Sequence, residues 1–553
     1  MRKHTGNSIY NAVAIGKASI FKHCHCRGEV RRIQVDNPDA EKARLEKAKA
    51  LSISQLEKIY KKALNDVDKP NAWIFEIHMM MINDTDYNEA LFNIIDTESV
   101  NAEYAVSVAA DSFSAMFEKM DDAYMKARYA DVRDISDRII NNLITGDSKC
   151  TKFEKENVIV CADDLAPSET ILLDKSKVLG FVTAFGSTNS HTAILARNMN
   201  IPAIMGVGEE FLRNIKEGDS IIVDGFTGEV FTEPDFVTTE RLILKQREEK
   251  EKKRFYQTLK GKENVTLDGK KIDIFANIES DENIDSVILN DAGGVGLFRS
   301  EFLYMNRRTY PTEEEQFRVY KNVLERMAEK KVIIRTLDIG ADKQVDYFGL
   351  GKEENPALGC RAIRFCLTRP EVLKTQLRAL FRASVYGNLG IMFPMIASVE
   401  ELDEALGICE DVKKELKAEG KEYSDHTETG VMIETPSAAI ISDLLAPMVD
   451  FFSVGTNDLT QYTLACDRQN PNTVRFCNPH HEAVLRLIAL AAKNAHKNGI
   501  RIGICGELGA DESLTEEFLR LGIDELSVTP GMVLRIRDRV RNIDLSKTKA
   551  DKA

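Results

Sequence analysis

The chain has 553 residues, which is too long for one compact core and indicates roughly three to four domains. Its composition, 43% hydrophobic and 29% charged, is typical of a soluble protein, and no run approaches the ~18 apolar residues of a membrane span. The formal net charge of −14 argues against nucleic acid as a partner and instead favours a partner protein with a basic surface.

The N-terminus and the cysteines indicate a cytoplasmic protein. Residues 1–16 lack the apolar core and small-residue cleavage site of an export signal. The 10 cysteines are scattered, mostly within apolar runs, which suits reduced thiols. The run at 23–26, His-Cys-His-Cys, suggests a metal site at first sight. In a strand, however, its two Cys and two His would face opposite ways, and no second ligand pair follows at zinc-finger spacing, so we expect no metal there.

Helical periodicity dominates residues 39 to about 147. Good helix formers in this block carry charges three and four residues apart, which supports a helical domain. The three consecutive methionines at 79–81 are interpreted as core packing, although exposed methionines also form adaptable docking surfaces.

A small α/β domain is predicted over residues 156–233. β-rich runs at 157–160 and 220–223 flank a helical pattern that opens with His191. The Ser and Asn residues just before His191 are N-cap types, and a helix N-terminus attracts anions such as a phosphoryl group. His191 is therefore a candidate phosphate acceptor, and the alternative is an ordinary, partly buried histidine beside a cap.

The second half of the chain follows a charged, exposed helical linker predicted over residues 239–259 and alternates strand-like with helical stretches. Eight strand-like runs recur, at 272–277, 294–299, 332–335, 390–395, 430–434, 451–455, 501–505 and 525–528. Eight parallel strand-helix units predict a closed (β/α)8 barrel.

Active sites of such barrels lie at the carboxyl ends of the strands. The residues there are Arg299, Arg335, Glu434, Asn457, Asp458 and Cys505. Two arginines from different strands would clamp an anion, and the two carboxylates offer the hard oxygen ligands that suit Mg²⁺. Alone, each side chain is more often part of a structural ion pair, but their joint placement predicts a site for a phosphorylated carboxylic acid.

Cys505 ends the seventh strand-like run. A thiol with the ordinary pKa of about 8.5 is mostly protonated at neutral pH, so it suits a general acid for an enolate, and the alternative is a structural cysteine. Lys343, in the polar loop after the third run, would support the same anion. Four arginines between strands are interpreted as solvated helix faces: Arg361, Arg364, Arg378 and Arg382.

Long motifs in this order resemble enzyme I of the bacterial sugar phosphotransferase system, the phosphoenolpyruvate-protein phosphotransferase family. They lie at 165–170, 186–197, 201–206, 296–305, 335–340, 353–356, 430–436, 451–462 and 505–507. The resemblance extends over nearly the whole chain, and several long motifs in order are very specific.

The resemblance implies a multidomain α/β protein with a C-terminal (β/α)8 TIM-type barrel. Residues 1–32 and 148–234 would form a phosphohistidine α/β swivelling domain, and residues 33–147 would form an inserted α-helical domain that binds HPr. A helical linker would follow at residues 235–262. Residues 263–553 would form the phosphoenolpyruvate-binding barrel, through which two copies form a homodimer. Neither nucleic acid nor membrane is an implied partner.

The resemblance also implies the roles of single residues. Phosphoenolpyruvate would phosphorylate His191, with Thr170 near its imidazole, and pyruvate would be released. The implied substrate-binding residues are Arg299, Arg335, Asn457, Asp458 and Arg468. Glu434 and Asp458 would bind Mg²⁺, and Cys505 would protonate the enolate. The phosphocarrier protein HPr would then take the phosphoryl group, the first step of sugar uptake.

Three positions depart from the family pattern, which commonly has Gly, Thr and an aromatic residue where this chain has Ser187, Asn189 and Cys360. Asn caps and hydrogen-bonds much as Thr does, so we expect the change at Asn189 to have a modest effect on phosphorylation rate.

Two competing hypotheses are less well supported. Relatives that make or consume phosphoenolpyruvate with ATP need an ATP-binding domain, whereas the first ~150 residues are helical without a Gly-rich phosphate loop. A non-catalytic scaffold would not be expected to keep the whole set His191, Arg299, Arg335, Glu434, Asp458 and Cys505.

Overall fold

The computed structural model divides the chain into two compact units, Met1–Lys252 and Lys253–Ala553. The structure describes residues 1–21, 30–66, 69–118, 123–146, 157–165, 173, 177–186, 191–199, 201–305, 307, 309–340, 346–349, 351, 353–468, 470 and 472–547. Within these ranges, no helix is both long enough and apolar enough to cross a membrane.

The first unit contains a mixed eight-stranded sheet, ordered β1-β8-β7-β3-β4-β5-β6-β2. Its strands are β1 Arg2–Thr5, β2 Asn7–Ser8, β3 Val13–Ile20, β4 Val158–Ala162, β5 Val178–Thr183, β6 Ala203–Met205, β7 Ser220–Asp224 and β8 Glu229–Thr232. Strands β3 to β6 pair in parallel, whereas β7 pairs antiparallel with both β3 and β8. The N-terminal strands thus complete a sheet whose other members follow the helical block in sequence.

Both faces of this sheet are apolar. In β4, Ile159 and Cys161 belong to one buried cluster, and Val160 and Ala162 belong to another. This period of two is the alternation that a strand covered on both faces requires.

A bundle of helices lies between β3 and β4 in the chain. Its members are α1 Pro38–Asp66, α2 Lys69–Ile82, α3 Thr85–Glu98, α4 Ala102–Glu118 and α5 Ala123–Thr145. Apolar side chains such as Leu45, Phe75 and Leu91 are fully buried in its core. Met79 and Met81 pack against that core as expected, but Met80 is 61% exposed, so core packing does not explain it.

Among the described residues that follow the bundle, three helices precede the barrel: α6 His191–Met199, α7 Glu209–Asn214 and α8 Phe236–Gln257. The last one corresponds to the predicted charged linker. Leu242 is its buried side chain, as expected for a helix whose sequence is dominated by charge.

The second unit is built on a closed barrel of eight parallel strands. The strands are β9 Asp273–Ile278, β10 Val295–Arg299, β11 Val332–Arg335, β12 Leu389–Phe393, β13 Glu428–Ile433, β14 Phe451–Val454, β15 Arg501–Ile504 and β16 Glu525–Val528. All eight predicted runs form these strands, with ends that differ by at most two residues. The predicted fold class, a multidomain α/β protein with a C-terminal (β/α)8 barrel, is confirmed.

Helices cover the outside of the barrel. They are α9 Ile284–Leu289, α10 Glu313–Met327, α11 Ala362–Thr368, α12 Pro370–Ala383, α13 Val399–Ala418, α14 Pro436–Ile440, α15 Ser442–Leu445, α16 Thr456–Leu464, α17 Glu482–Lys497, α18 Glu512–Leu521 and α19 Val533–Arg541. A large apolar core joins strands to helices, and a separate small cluster, including Met432 and Cys505, fills the inside of the barrel. The filled interior leaves the strand ends as the place for a site.

Candidate active site at the mouth of the barrel

Two of the sequence-predicted arginines are neighbours in the sheet. Arg299 is the last residue of β10, Arg335 is the last residue of β11, and the two are direct partners in the register of these parallel strands. Parallel pairing therefore brings both guanidinium groups to the same end of the barrel. The Arg299 guanidinium contacts Glu279, with Nη1 3.0 Å from Oε1, and remains about one-third exposed.

Arg335 is buried and held by two carboxylates. Its Nη2 lies 2.6 Å from Oε1 of Glu301, and its Nη1 lies 2.7 Å from Oδ2 of Asp338. Burial opposes the charged form, but Asp338 and Glu301 outweigh it and raise the pKa of Arg335. The Nε–H of Arg335 is buried without a hydrogen-bond acceptor among the described residues, so it is available to a ligand oxygen.

Arg361 belongs to this network, and its interpretation as a solvated helix face is wrong. It immediately precedes α11 and is 9% exposed, with Nη2 3.2 Å from Oδ1 of Asp338 and Nη1 donating to Oη of Tyr462 at 3.2 Å. Its Nε also lacks an acceptor among the described residues. Gly340 makes room for this side chain, because a Cβ there would lie 2.8 Å from Nε of Arg361.

The two predicted metal-binding carboxylates follow adjacent strands. Glu434 follows β13, and its Oε1 accepts the backbone N–H of Met395 at 2.6 Å. Asp458 lies in the first turn of α16, after β14. Burial, together with the carboxylates of Asp458 and Asp338, raises the pKa of Glu434 to about 8. Such crowding of acidic groups favours a bound cation, although the described residues contain no group of three or more metal-binding His, Cys, Asp or Glu.

Asn457 and Arg468 lie beside these carboxylates. The Nδ2 of Asn457 donates to Oε1 of Glu507 at 3.1 Å, which joins α16 to the segment after β15. The Nη2 of Arg468 is 3.9 Å from Oδ1 of Asp458, and its backbone N–H donates to Oε1 of Gln461 at 3.2 Å. Both predicted residues thus lie at the same end of the barrel as Arg335.

Cys505 is buried inside the mouth of the barrel. Its backbone N–H donates to the carbonyl of Val454 at 3.1 Å, and its thiol Sγ lies 3.6 Å from that same oxygen. Burial, only partly offset by its polar and cationic neighbours such as Arg335, raises the pKa of the thiol to about 11. The thiol is therefore held protonated at neutral pH, even more firmly than an ordinary cysteine.

The structure describes only part of the segment around His191, the candidate phosphate acceptor. Helix α6 begins at His191, which agrees with the predicted helix start, but the histidine side chain lies outside the described residues. Thr170, Ser187, Asn189, Lys343 and the His-Cys-His-Cys run at 23–26 also lie outside them.

Three family models match the chain. They describe PEP-utilising enzymes: the PEP-binding domain at residues 253–545, the N-terminal region at 5–128 and the mobile domain at 153–228. The first of these alone matches more than half of the chain.

Curated relatives are similar over almost the whole chain, and each is named phosphoenolpyruvate-protein phosphotransferase. The protein of Priestia megaterium is 43% identical over 97% of this chain and 93% of its own length. That of Bacillus subtilis is 42% identical over 100% of this chain and 96% of its own length. The relative from Staphylococcus carnosus is 41% identical over 93% of this chain and 90% of its own length.

Proposed function

Because the chain belongs to the phosphoenolpyruvate-protein phosphotransferase family, the enzymes I of the bacterial sugar phosphotransferase system, we propose that it phosphorylates His191 from phosphoenolpyruvate. The phosphoryl group then passes to the phosphocarrier protein HPr, and pyruvate is released. The proposal rests on both units, since His191 belongs to the first and the barrel residues to the second.

One observation carries the assignment of the substrate. Arg299 and Arg335 are register partners at the barrel mouth, and buried guanidinium N–H donors of Arg335 and Arg361 lack acceptors among the described residues. Leaving such donors unpaired is costly, so an anion with several oxygens is the expected partner. The phosphate and carboxylate of phosphoenolpyruvate supply those oxygens, and Asn457 and Arg468 lie at the rim to contact them.

The reaction breaks the bond between phosphorus and the enol oxygen and forms a bond between phosphorus and an imidazole nitrogen of His191. The electron pair of the broken bond remains on the enolate, which takes the proton of the Cys505 thiol at carbon and becomes pyruvate. Burial of Cys505 suits this role, because a thiol with a pKa of about 11 keeps its proton until a strong carbon base appears. Thr170 is proposed to orient the imidazole of His191.

Glu434 and Asp458 are proposed to hold Mg²⁺. The crowding of acidic groups that raises the pKa of Glu434 is the feature a divalent cation would relieve, and two protein carboxylates suffice when substrate oxygens and water complete the shell. When bound, the ion would neutralise charge on the phosphoryl oxygens.

The partners follow from the family. We propose that the helical bundle of α1 to α5 docks HPr and that two copies of the chain associate through their barrels. Ile440 and Leu444, which are 60% and 55% exposed on the barrel, are apolar side chains suited to such a contact. The described cysteines are unpaired, which supports a reducing, cytoplasmic location.

Radiolabelled phosphoenolpyruvate tests the proposal. We expect the intact chain with Mg²⁺ to acquire label without ATP, to lose it to HPr when HPr is added, and to release pyruvate. The variant His191→Ala should acquire no label, whereas His426→Ala, a change at an exposed histidine, should behave as the intact chain does.

The outcomes separate the alternatives. Label retained in His191→Ala, or passed on to HPr by it, would overturn the proposal. Labelling that requires ATP would identify an ATP-dependent relative, and an intact chain that binds HPr but takes no label would be a scaffold.

A further inference from the structure

Two cysteines lie close together in the segment between α16 and α17, which also carries Arg468. Cys466 and Cys477 are 11 residues apart in the chain, and Sγ of Cys477 lies 3.9 Å from the backbone oxygen of Cys466. Cys466 is buried and Cys477 is half-buried, so Cys477 is the more accessible residue of the two.

The backbone around this thiol pair is held by the segment itself. The N–H of Cys466 donates to the carbonyl of Gln461 at 3.1 Å, and that of Cys477 to the carbonyl of Val474 at 3.0 Å. Between them, Oγ1 of Thr473 donates to the carbonyl of Asp467 at 2.8 Å and closes the segment on itself. Because Sγ of Cys477 lies against the backbone of Cys466, rotation of the Cys466 side chain with a shift of this segment would bring the two sulfurs to the ~2.05 Å of a disulfide bond.

We propose that Cys466 and Cys477 are a modification site for low-molecular-weight disulfides, and that the intramolecular disulfide formed there weakens phosphoenolpyruvate binding through Arg468. The first part concerns the thiols alone. The second part rests on the proposed function, in which Arg468 contacts the substrate.

The intramolecular disulfide would form by thiol–disulfide exchange in two steps. The Cys477 thiolate attacks one sulfur of the small disulfide, and the other sulfur leaves as a thiolate that takes up a proton. The Cys466 thiolate then attacks Sγ of Cys477, forms the intramolecular bond and releases the second small thiol. Two protein thiols are oxidised, and one disulfide is reduced to two thiols.

Burial sets the order of these steps. The half-buried Cys477 meets the reagent first, whereas burial and the contact with Cys477 raise the pKa of Cys466 to about 11. Cys466 is therefore the second, slower nucleophile, and ring closure should accelerate as the pH rises.

The disulfide would act on the site through Arg468, which is two residues from Cys466. The Arg468 backbone N–H and its guanidinium are positioned by Gln461 and by Asp458, at 3.2 and 3.9 Å. Formation of the disulfide would draw Cys466 towards Cys477 and shift the backbone on which these contacts depend. Cys505, whose thiol faces the carbonyl of Val454, is not part of the thiol pair.

Equilibration of the full chain with mixtures of reduced glutathione and glutathione disulfide tests the proposal. Trypsin cleaves after Arg468 and Arg475, so it places Cys466 and Cys477 on separate peptides that stay joined only through a disulfide. We expect these joined peptides to appear as the mixture becomes oxidising and to vanish after reduction. In the crosslinked protein, the Kd for phosphoenolpyruvate measured by calorimetry should rise about tenfold, the loss expected for one charged hydrogen bond.

Matched variants identify the thiols responsible. The double variant Cys466→Ser with Cys477→Ser should keep the Kd of the reduced protein in both buffers. Cys360→Ser, which removes another half-buried thiol, should remain as sensitive as the intact chain. A Kd that rises equally in the double variant would place the effect elsewhere, for example at Cys505, and would overturn the proposal.

Two further outcomes would also overturn it. One is the absence of joined peptides across all glutathione mixtures, and the other is a fully crosslinked protein whose Kd is unchanged. A reduced protein that binds no phosphoenolpyruvate would instead contradict the proposed function, and the peptide map would still decide whether the disulfide forms.

Discussion

Glu525 is a buried side chain inside the barrel that restricts which residue can stand at position 296. It begins β16 and is 8% exposed, and a Cβ on Gly296 would lie only 2.5 Å from its Oε1. Since β9 separates β10 from β16, this approach crosses the barrel interior, and Gly296 is needed for space. The Oε1 atom has no hydrogen-bond partner among the described residues, and burial raises the pKa of Glu525 to about 8. The carboxyl group is therefore neutral below about pH 8.

The stability of the barrel should consequently fall as the pH rises between about 4.5 and 8. In that window the folded protein keeps the Glu525 proton and the unfolded chain has lost it, so the free energy of unfolding decreases by up to ~1.4 kcal/mol per pH unit. The variant Glu525→Gln should lack this component. In calorimetric melting at several pH values, the Tm of the variant minus the Tm of the intact chain should increase as the pH rises. Parallel Tm profiles would contradict the expectation, and Glu422→Gln, at an exposed position, serves as the control.

Helix α10 illustrates how an element of the barrel is fixed at its start. Oγ1 of Thr312 accepts the backbone N–H of Glu315 at 3.3 Å, while Oε2 of Glu315 accepts the N–H of Thr312 at 2.8 Å, which is a capping box. Glu313 in the first turn then pairs with two arginines of α12, at 2.7 Å to Arg378 and 2.6 Å to Arg382. Their interpretation as solvated faces is wrong, because these arginines join two helices.

Removing the cap should destabilise the barrel measurably. Thr312→Ala leaves the N–H of Glu315 without its acceptor and should cost about 1 kcal/mol of unfolding free energy. Thr312→Ser keeps the hydroxyl group and should cost much less. Urea unfolding monitored by circular dichroism checks both variants, and equal losses in the two would show that the methyl group, not the cap, matters.

At the scale of the whole molecule, the proposed reaction requires residues of both units. His191 lies in Met1–Lys252, and the residues proposed to bind the substrate lie in Lys253–Ala553. Phosphoryl transfer needs the reacting atoms about 3 Å apart and nearly in line. We therefore expect the His191 domain to swing between the barrel and the docked HPr, with residues 239–259, the predicted linker, as the joint.

Restricting that motion should stop turnover. A short bifunctional amine-reactive reagent that links lysines of the two units should abolish phosphoryl transfer from phosphoenolpyruvate to HPr. The monofunctional analogue, which modifies the same lysines without joining them, should leave most of the activity. Mass spectrometry selects the molecules linked between units, and unchanged turnover in that fraction would refute the swinging motion.

The sequence by itself determined the elements of this protein, because their signals are local. Every barrel strand could be predicted from a short apolar run, and the helix at His191 from the residues before it. Cys505 and Glu434 could be named because a strand end in a parallel barrel defines where a side chain must lie. Cys466 and Cys477 can be read from the sequence, but no local pattern predicts that they lie close together.

Tertiary structure alone decided the contacts between distant segments. The position of Arg361 between two strands predicts a solvated helix face, yet its side chain is buried and pairs with Asp338, a residue 23 positions earlier in the chain. The elevated pKa values of Glu434, Cys505 and Glu525 likewise arise from desolvation and from neighbouring charges. Burial and long-range charge depend on which segments meet in space, and the periodicity of one segment carries no information about its neighbour.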